Sequence, residues 1–282
     1  EDPKALECIP MLKRSDIKRE AAKIINEELT VDDSLFLYHD VCTNGIGYVD
    51  LMFKTDSIAP EQIPYLGLLK SVLGYVDTEN YTYGELFNEI NANTGGINCG
   101  VEVFDRADST EEFQAMFSVR GKALYTKMDF LFKMIGEILN SSKLEDTKRL
   151  YEIVASVKSR AQVNLTGAGH STAVLRAAAY SSPMAAFQDE MAGIGYYQFI
   201  EKLEKDFEQR KEETVEELRK LMKEILRPEN FMISYTGERE SLETVQKLAG
   251  AVKAGLGTEP VEKSKEKLTC TKKNEGFKTS GQ

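Results

Sequence analysis

The sequence predicts an α+β fold, an antiparallel sheet with helices packed on one face. Three observations lead there. Strand-like runs come in two pairs joined by short turns, helical segments are grouped after each pair, and nothing repeats at a short period.

Composition sets the outer bounds. The chain has 282 residues, 41% hydrophobic and 29% charged, which suits a globular protein able to bury a sizeable core. Its 46 acidic and 36 basic residues give a net charge of −10. That charge repels phosphate backbones, so nucleic acid is not expected as a partner; an acidic excess can attract basic peptides but more often serves solubility. No run reaches the ~18 apolar residues of a membrane span, so no membrane partner is expected. The start, EDPKALECIP, lacks the basic and apolar regions of a signal peptide, and with no initiator methionine the expectation is a fragment or a processed chain. Cys8, Cys42, Cys99 and Cys270 stand singly, as free thiols of a reducing compartment do.

Taken in order, residues 1–33 are polar and read as helical, with Ser15 as the N-cap of SDIKREAAKIINEEL. SLFLYHDV and IGYVDLMFKT read as strands flanking Cys42-Thr43-Asn44-Gly45. Asn-Gly accepts positive φ at both central positions, so a hairpin is expected there. Pro60 suits the first turn of a helix over Pro60–Val76, whose Leu66, Leu69 and Leu73 make a stripe for the sheet. TYGELFNEINANTGG is a second helix, ended by Gly95-Gly96. INCGVEVF and FQAMFSVRGKAL form the second strand pair across a polar turn. KMDFLFKMIGEIL and LEDTKRLYEIVASVKSRAQVNL then carry apolar residues at three-and-four spacing. Helices continue to Leu226, the Arg227-Pro228 break precedes a fifth strand in NFMISYTG, and SLETVQKLAGAVKAGL is the closing helix. The strands are expected near 35–41, 46–54, 97–104, 113–124 and 231–235. From Thr258 the chain is polar and Lys/Glu-rich, as a linker would be.

LTGAGHSTAVLRAAAY, residues 165–180, has the letters of a site. A phosphate loop needs a lysine and follows a strand; this stretch has no lysine and follows a helix. His170 and Ser171 are neighbours, pointing about 100° apart on a helix, so they do not form a nucleophile–base pair. His39 has no acidic residue at a telling spacing. The reading that explains most of the letters is a joint: Gly167 and Gly169 stop one helix in left-handed geometry, and Ser171 or Thr172 caps the next.

Beyond that joint, LRAAAYSSPMAAFQDEMAGIGYYQFI resembles the presequence protease branch of the pitrilysin/insulinase zinc metallopeptidases, in the metallopeptidase-associated region that begins their second half. VDTENYTYGELFNEINANTGGI and CIPMLKRSDI match the same region in the same order, and the resemblance runs from about Leu6 to the C-terminus. It implies a clamshell of two halves, each of two related α+β domains, with zinc held in the first domain by the inverted motif H-x-x-E-H and a distant Glu. The corresponding helix here is YLGLLKSVLGYVDT, with the ligand places on Leu68 and Val72 and the base on Ser71. His39 and His170 are the only histidines, so the three ligands and base of a zinc centre cannot be assembled. No catalytic, cofactor-binding or metal residue is therefore nominated, and zinc is expected only in the catalytic half of the parent.

The resemblance also implies a division of the chain. Residues 1–33 would end the hinge between halves, 34–257 would be the non-catalytic domain, and 258–282 would lead toward a last domain whose substrate-binding Arg/Tyr pair has no counterpart here. The function implied is a non-catalytic fragment of a presequence-protease-like zinc metalloendopeptidase, forming part of the chamber wall around unfolded peptides. Its partners would be the catalytic half of the same protein and those peptides, in the cytoplasm or an organelle matrix. The alternative is a free-standing inactive pitrilysin-fold binding or scaffold protein. An enzyme built on His170 and Ser171 would require that pair to line an open pocket.

Overall fold

The computed structural model describes residues 8–278 apart from 22, 110, 262, 263, 265 and 267. Six strands, β1 (Glu27–Val31), β2 (Ser34–Asp40), β3 (Ile46–Lys54), β4 (Ile97–Asp105), β5 (Phe113–Leu124) and β6 (Phe231–Gly237), form one sheet in the order β1-β2-β6-β3-β5-β4. The α-helices among the described residues are α1 (Ile63–Val72), α2 (Tyr83–Asn93), α3 (Met128–Ser141), α4 (Thr147–Gly167), α5 (Gly169–Ala178), α6 (Pro183–Ala192), α7 (Ile194–Lys205), α8 (Phe207–Ile225) and α9 (Leu242–Ala254).

The α+β class holds, and so do the five strands expected. Their alternation sends one set of side chains into the core. A row runs across the sheet through Phe36, Ile233, Leu51, Val119 and Cys99, one from each of β2, β6, β3, β5 and β4. The first four of these are fully buried. The opposite face is more open: Leu35 and Tyr48 are exposed there, and Arg120 bonds Asp50 at 2.7 Å and Glu102 at 3.1 Å.

Two expectations about the sheet are corrected. The Asn-Gly turn forms, with Asn44 at φ 54° and Gly45 at φ 81°, but β2 and β3 do not pair as a hairpin. Strand β6 lies between them, parallel to β2 and antiparallel to β3, so the sheet is mixed. The reason is aromatic packing. Tyr235 of β6 stacks on Tyr38 of β2 with centroids 6.0 Å apart and tilts against Phe36 at 6.4 Å. Residues 41–45 have ample reach to cross two strand spacings of ~4.8 Å.

The second correction concerns residues 1–33. Residues 1–7 lie outside those described; of the rest, Ser15 sits inside a short 3-10 turn, Arg14–Asp16, and caps no helix. Glu27–Val31 is a strand, antiparallel to β2. The tight hairpin is here: Asp32 and Asp33 take φ 46° and 65°, the left-handed pair a two-residue turn requires. Leu29 and Val31 pack on the core, and this contact outweighs the helix propensity of the glutamates around them.

Helix α1 is the centre of the molecule. Pro60–Gln62 forms a 3-10 turn, the α-helix runs to Val72, and Gly74 at φ 85° ends it short of the expected Val76. Leu66, Leu69 and Leu73 are buried as the stripe predicts, but so are Leu68 and Val72 on other sides, because α1 lies among β4, α4, α6 and α8. The polar C-terminal stretch has no helix or strand among its described residues, yet it lies along the domain. The Ser264 amide donates to Ser57 O at 3.0 Å, Leu268 packs on the core and Glu275 bonds Arg176.

Candidate functional site

A cavity of about 760 Å³ opens where α1 ends, between strand β4 and helix α4. Each wall follows from local sequence. Among the described residues β4 is an edge strand, paired only with β5, and it contributes Cys99 and Val101. Helix α4 contributes Arg149, Ile153, Ser156 and Arg160, spaced by four, three and four, so they share one face. The last turn of α1 supplies Lys70 and Ser71 as the floor. Beyond Arg160 a second cavity of about 270 Å³ continues toward Asn164 and Tyr197, and Lys70, Ser71 and Arg160 line both.

Most charges in this groove are matched. Arg149 pairs with Glu152 at 2.9 Å, donates to Tyr75 O at 2.9 Å and lies 3.9 Å over the Tyr83 ring. Glu102 accepts from Arg120. Lys70 is different. Its stem is enclosed, and burial pulls its ammonium below the usual lysine range, with Glu102 opposing. Burial pushes the Cys99 thiol up to about 12, toward its neutral form.

The positions singled out in the sequence fall as follows. Leu68 and Val72 are fully buried apolar side chains, and the Ser71 hydroxyl donates back to Gly67 O at 3.4 Å. Neither aliphatic side chain offers a lone pair, so this trio does not fit a zinc centre. His39 ties β2 to the segment preceding β1 and to β6: its Nδ1 donates to Ile25 O at 2.7 Å, and Ser234 Oγ lies 3.3 Å from Nε2. His170 and Ser171 are exposed and line neither cavity of this groove.

The joint itself is corrected. Gly167 and Gly169 are not at positive φ, and no hydroxyl of Ser171 or Thr172 caps α5. The bend is at Ala168 (φ −127°, ψ 37°), while Ala168 N still bonds Asn164 O and Thr172 N still bonds Ala168 O, so the helical ladder nearly continues through it. The Thr172 hydroxyl bonds back to Ala168 O at 3.2 Å.

Sequence reasoning missed Lys70 and Arg160. The signal for the first was present: Lys70 is the single charged residue in IPYLGLLKSV. Among the described residues no group of three or more His, Cys, Asp or Glu side chains is placed to hold a metal ion, and no helix is long and apolar enough to cross a membrane.

Comparison with known proteins gives these likenesses. The family model for the region associated with M16 peptidases of subfamily C matches residues 1–203. The chain is 35% identical over 276 residues to Protein HypA of Clostridium perfringens, covering 98% of this chain and 28% of that protein. It is 27% identical over 245 residues to presequence protease 1, chloroplastic/mitochondrial, of Arabidopsis thaliana, covering 87% and 23%. With the mitochondrial presequence protease of Yarrowia lipolytica identity is 28% over 236 residues, covering 83% and 24%. The chain thus spans about a quarter of the length of these relatives. Among solved structures, the peptidase M16 inactive domain from Pseudomonas fluorescens superposes with a TM-score of 0.55 at 14% identity, over 85% of this chain and 53% of that one.

Proposed function

Because this chain belongs to the family of domains associated with M16 peptidases of subfamily C, we propose that it is the non-catalytic domain of a presequence-protease-like zinc metalloendopeptidase and forms part of the wall around unfolded peptide substrates. One observation carries the reading. The central helix, where the family's motif would stand, holds Leu68, Ser71 and Val72, two of them core residues with no lone pair to give. Zinc belongs to the catalytic half, which is the proposed partner, together with the peptides themselves.

What this domain offers is a surface. The groove between β4 and α4 presents an unpaired strand edge, enclosed apolar side chains and a few fixed charges, the features that hold an extended chain in place. The chloroplastic or mitochondrial placement of the plant and yeast relatives supports an organelle matrix as the location, with the cytoplasm the counterpart in a bacterium.

Two measurements on the full-length parent test this. Ser71→Ala should leave zinc content unchanged; loss of zinc, at an unaltered unfolding temperature, overturns the non-catalytic assignment. A photoreactive side chain at Ser156, in the groove, should crosslink an unfolded peptide, and one at Glu243, on the exposed side of α9, should not. Equal labelling at both sites overturns the wall.

A further inference from the structure

We infer that Lys70 and Arg160 form a receptor for a carboxylate carried by an extended peptide lying in the groove. The inference rests on the reading that this groove faces peptide. Three observations lead to it. Both side chains line the neck shared by the 760 Å³ and 270 Å³ cavities, with the Ser71 hydroxyl beside them. Among the described residues neither makes an ion pair or a side-chain hydrogen bond, whereas Arg149 and Glu102 in the same groove are both paired. The whole chain carries a net charge of −10, whereas the charges lining the larger cavity are Lys70, Arg149 and Arg160 against Glu102 and Glu152, a local reversal of sign.

The acidic group that acts on Lys70, Glu102, is already bonded to Arg120, and an enclosed lysine without a counter-charge of its own is costly unless a ligand supplies one. The downward pull on the Lys70 ammonium agrees with that: an arriving carboxylate would restore its charge. Size favours a peptide. From Arg149 to Arg160 the α4 wall runs ~16 Å, at ~1.5 Å per residue, the length of about five extended residues. The second cavity lets a chain pass beyond the neck, so the carboxylate can be the C-terminus or an internal Asp or Glu.

The test uses full-length protein freed of metal by a chelator, so that nothing is cut. The probe is a fluorescent, unstructured 15-residue peptide of Gly, Ser and Ala with one central Glu and a free C-terminus. Its partners are the same peptide with Glu replaced by Gln, with an amidated C-terminus, and with both changes. Anisotropy should show about tenfold weaker binding when the recognised carboxylate is removed, as expected for loss of a charge-assisted contact. The amide and Gln versions tell the two sources apart. The discrimination should vanish in Lys70→Met and in Arg160→Gln; the latter changes an exposed side chain and leaves folding intact. Equal binding of all four peptides, or discrimination kept in both variants, overturns this inference and leaves the wall standing. Absence of binding by every peptide overturns both.

Discussion

Thr43 and Glu238, 195 positions apart, are joined by two hydrogen bonds: the Thr43 amide donates to Glu238 Oε1 at 3.2 Å and its hydroxyl to Oε2 at 3.0 Å. Tyr125 completes the knot, donating its hydroxyl to the same carboxylate and accepting from the Glu238 amide at 2.7 Å. The turn between β2 and β3 is thereby fastened to the end of β6, which holds the two strands apart around the one inserted between them.

These donors, Tyr125 foremost and then Thr43, lower the Glu238 carboxyl to about 2 from the ordinary 4.5. A carboxyl depressed in the folded state contributes stability that is present above its unfolded pKa and lost as pH falls through the folded one. Glu238→Gln should therefore lower the unfolding temperature at neutral pH, and the gap from wild type should close between about pH 4.5 and 2. Thermal unfolding across that range checks it. A gap that does not vary with pH would show that the carboxylate charge is not what matters.

The strands were legible because alternation is a local property, but their order was not. The place of β6 depends on Tyr235 meeting Tyr38 and on Glu238 meeting Thr43, contacts no window of sequence contains. Glu27 and Glu28 carry helix propensity, and the packing of the half-buried Leu29 and Val31 against the core at the sheet edge overrides it. The groove was half legible. Leu68, Ser71 and Val72 showed what α1 lacks, while pairing Lys70 with Arg160 required knowing that α4 crosses the end of α1.

At the bend after α4 the structure reverses the sign of an expectation. Left-handed glycines would make alanine costly, but Gly167 and Gly169 have negative φ, and a Cβ at either meets nothing within 4 Å. Gly167→Ala should stabilise by up to about 1 kcal/mol, through helix propensity and a less disordered unfolded chain. His170→Ala, at an exposed position, should stay within about 0.5 kcal/mol and leave turnover of the parent unaltered. Denaturant titration reads both, and a loss above about 1 kcal/mol for Gly167→Ala would mean the bend is strained.

Gly67 presents the opposite case. A Cβ there would lie 2.5 Å from Met191 O and 2.7 Å from the Tyr196 ring, where α1 crosses the junction of α6 and α7. A carbonyl cannot swing aside as a flexible side chain can, so Gly67→Ala should cost roughly 1–3 kcal/mol by overpacking. Lys70 is one turn further along the same helix, so the shift should also reach the groove floor. A neutral Gly67→Ala in chemical unfolding would show that α1 is free to slide.

Arg176 connects two structures of unequal weight, the buried Asp189 and the C-terminal stretch around Glu275. Its guanidinium pairs with Asp189 at 2.5 Å and with Glu275 at 2.6 Å, and it lies 5.7 Å from the Phe277 ring. Asp189 is nearly sealed, with 2% of its side chain exposed, and also accepts from the Ile194 and Gly195 amides at the start of α7. Removing the cation leaves that buried charge to two backbone donors, so Arg176→Met should cost about 3 kcal/mol, the lower end for a broken buried pair. Arg176→Lys cannot reproduce a fork to two carboxylates and should also be destabilising. Glu275, held near 2 by Arg176 and then Tyr180, lies in the chain's final stretch, and its carboxylate is bonded to those two side chains of the α5 region. Glu275→Gln should therefore leave the unfolding midpoint almost unchanged while speeding tryptic cleavage at Lys272 and Lys273, because only the strap is released. If Glu275→Gln unfolds the domain as readily as Arg176→Met, the strap is part of the core and the two contacts are not separable.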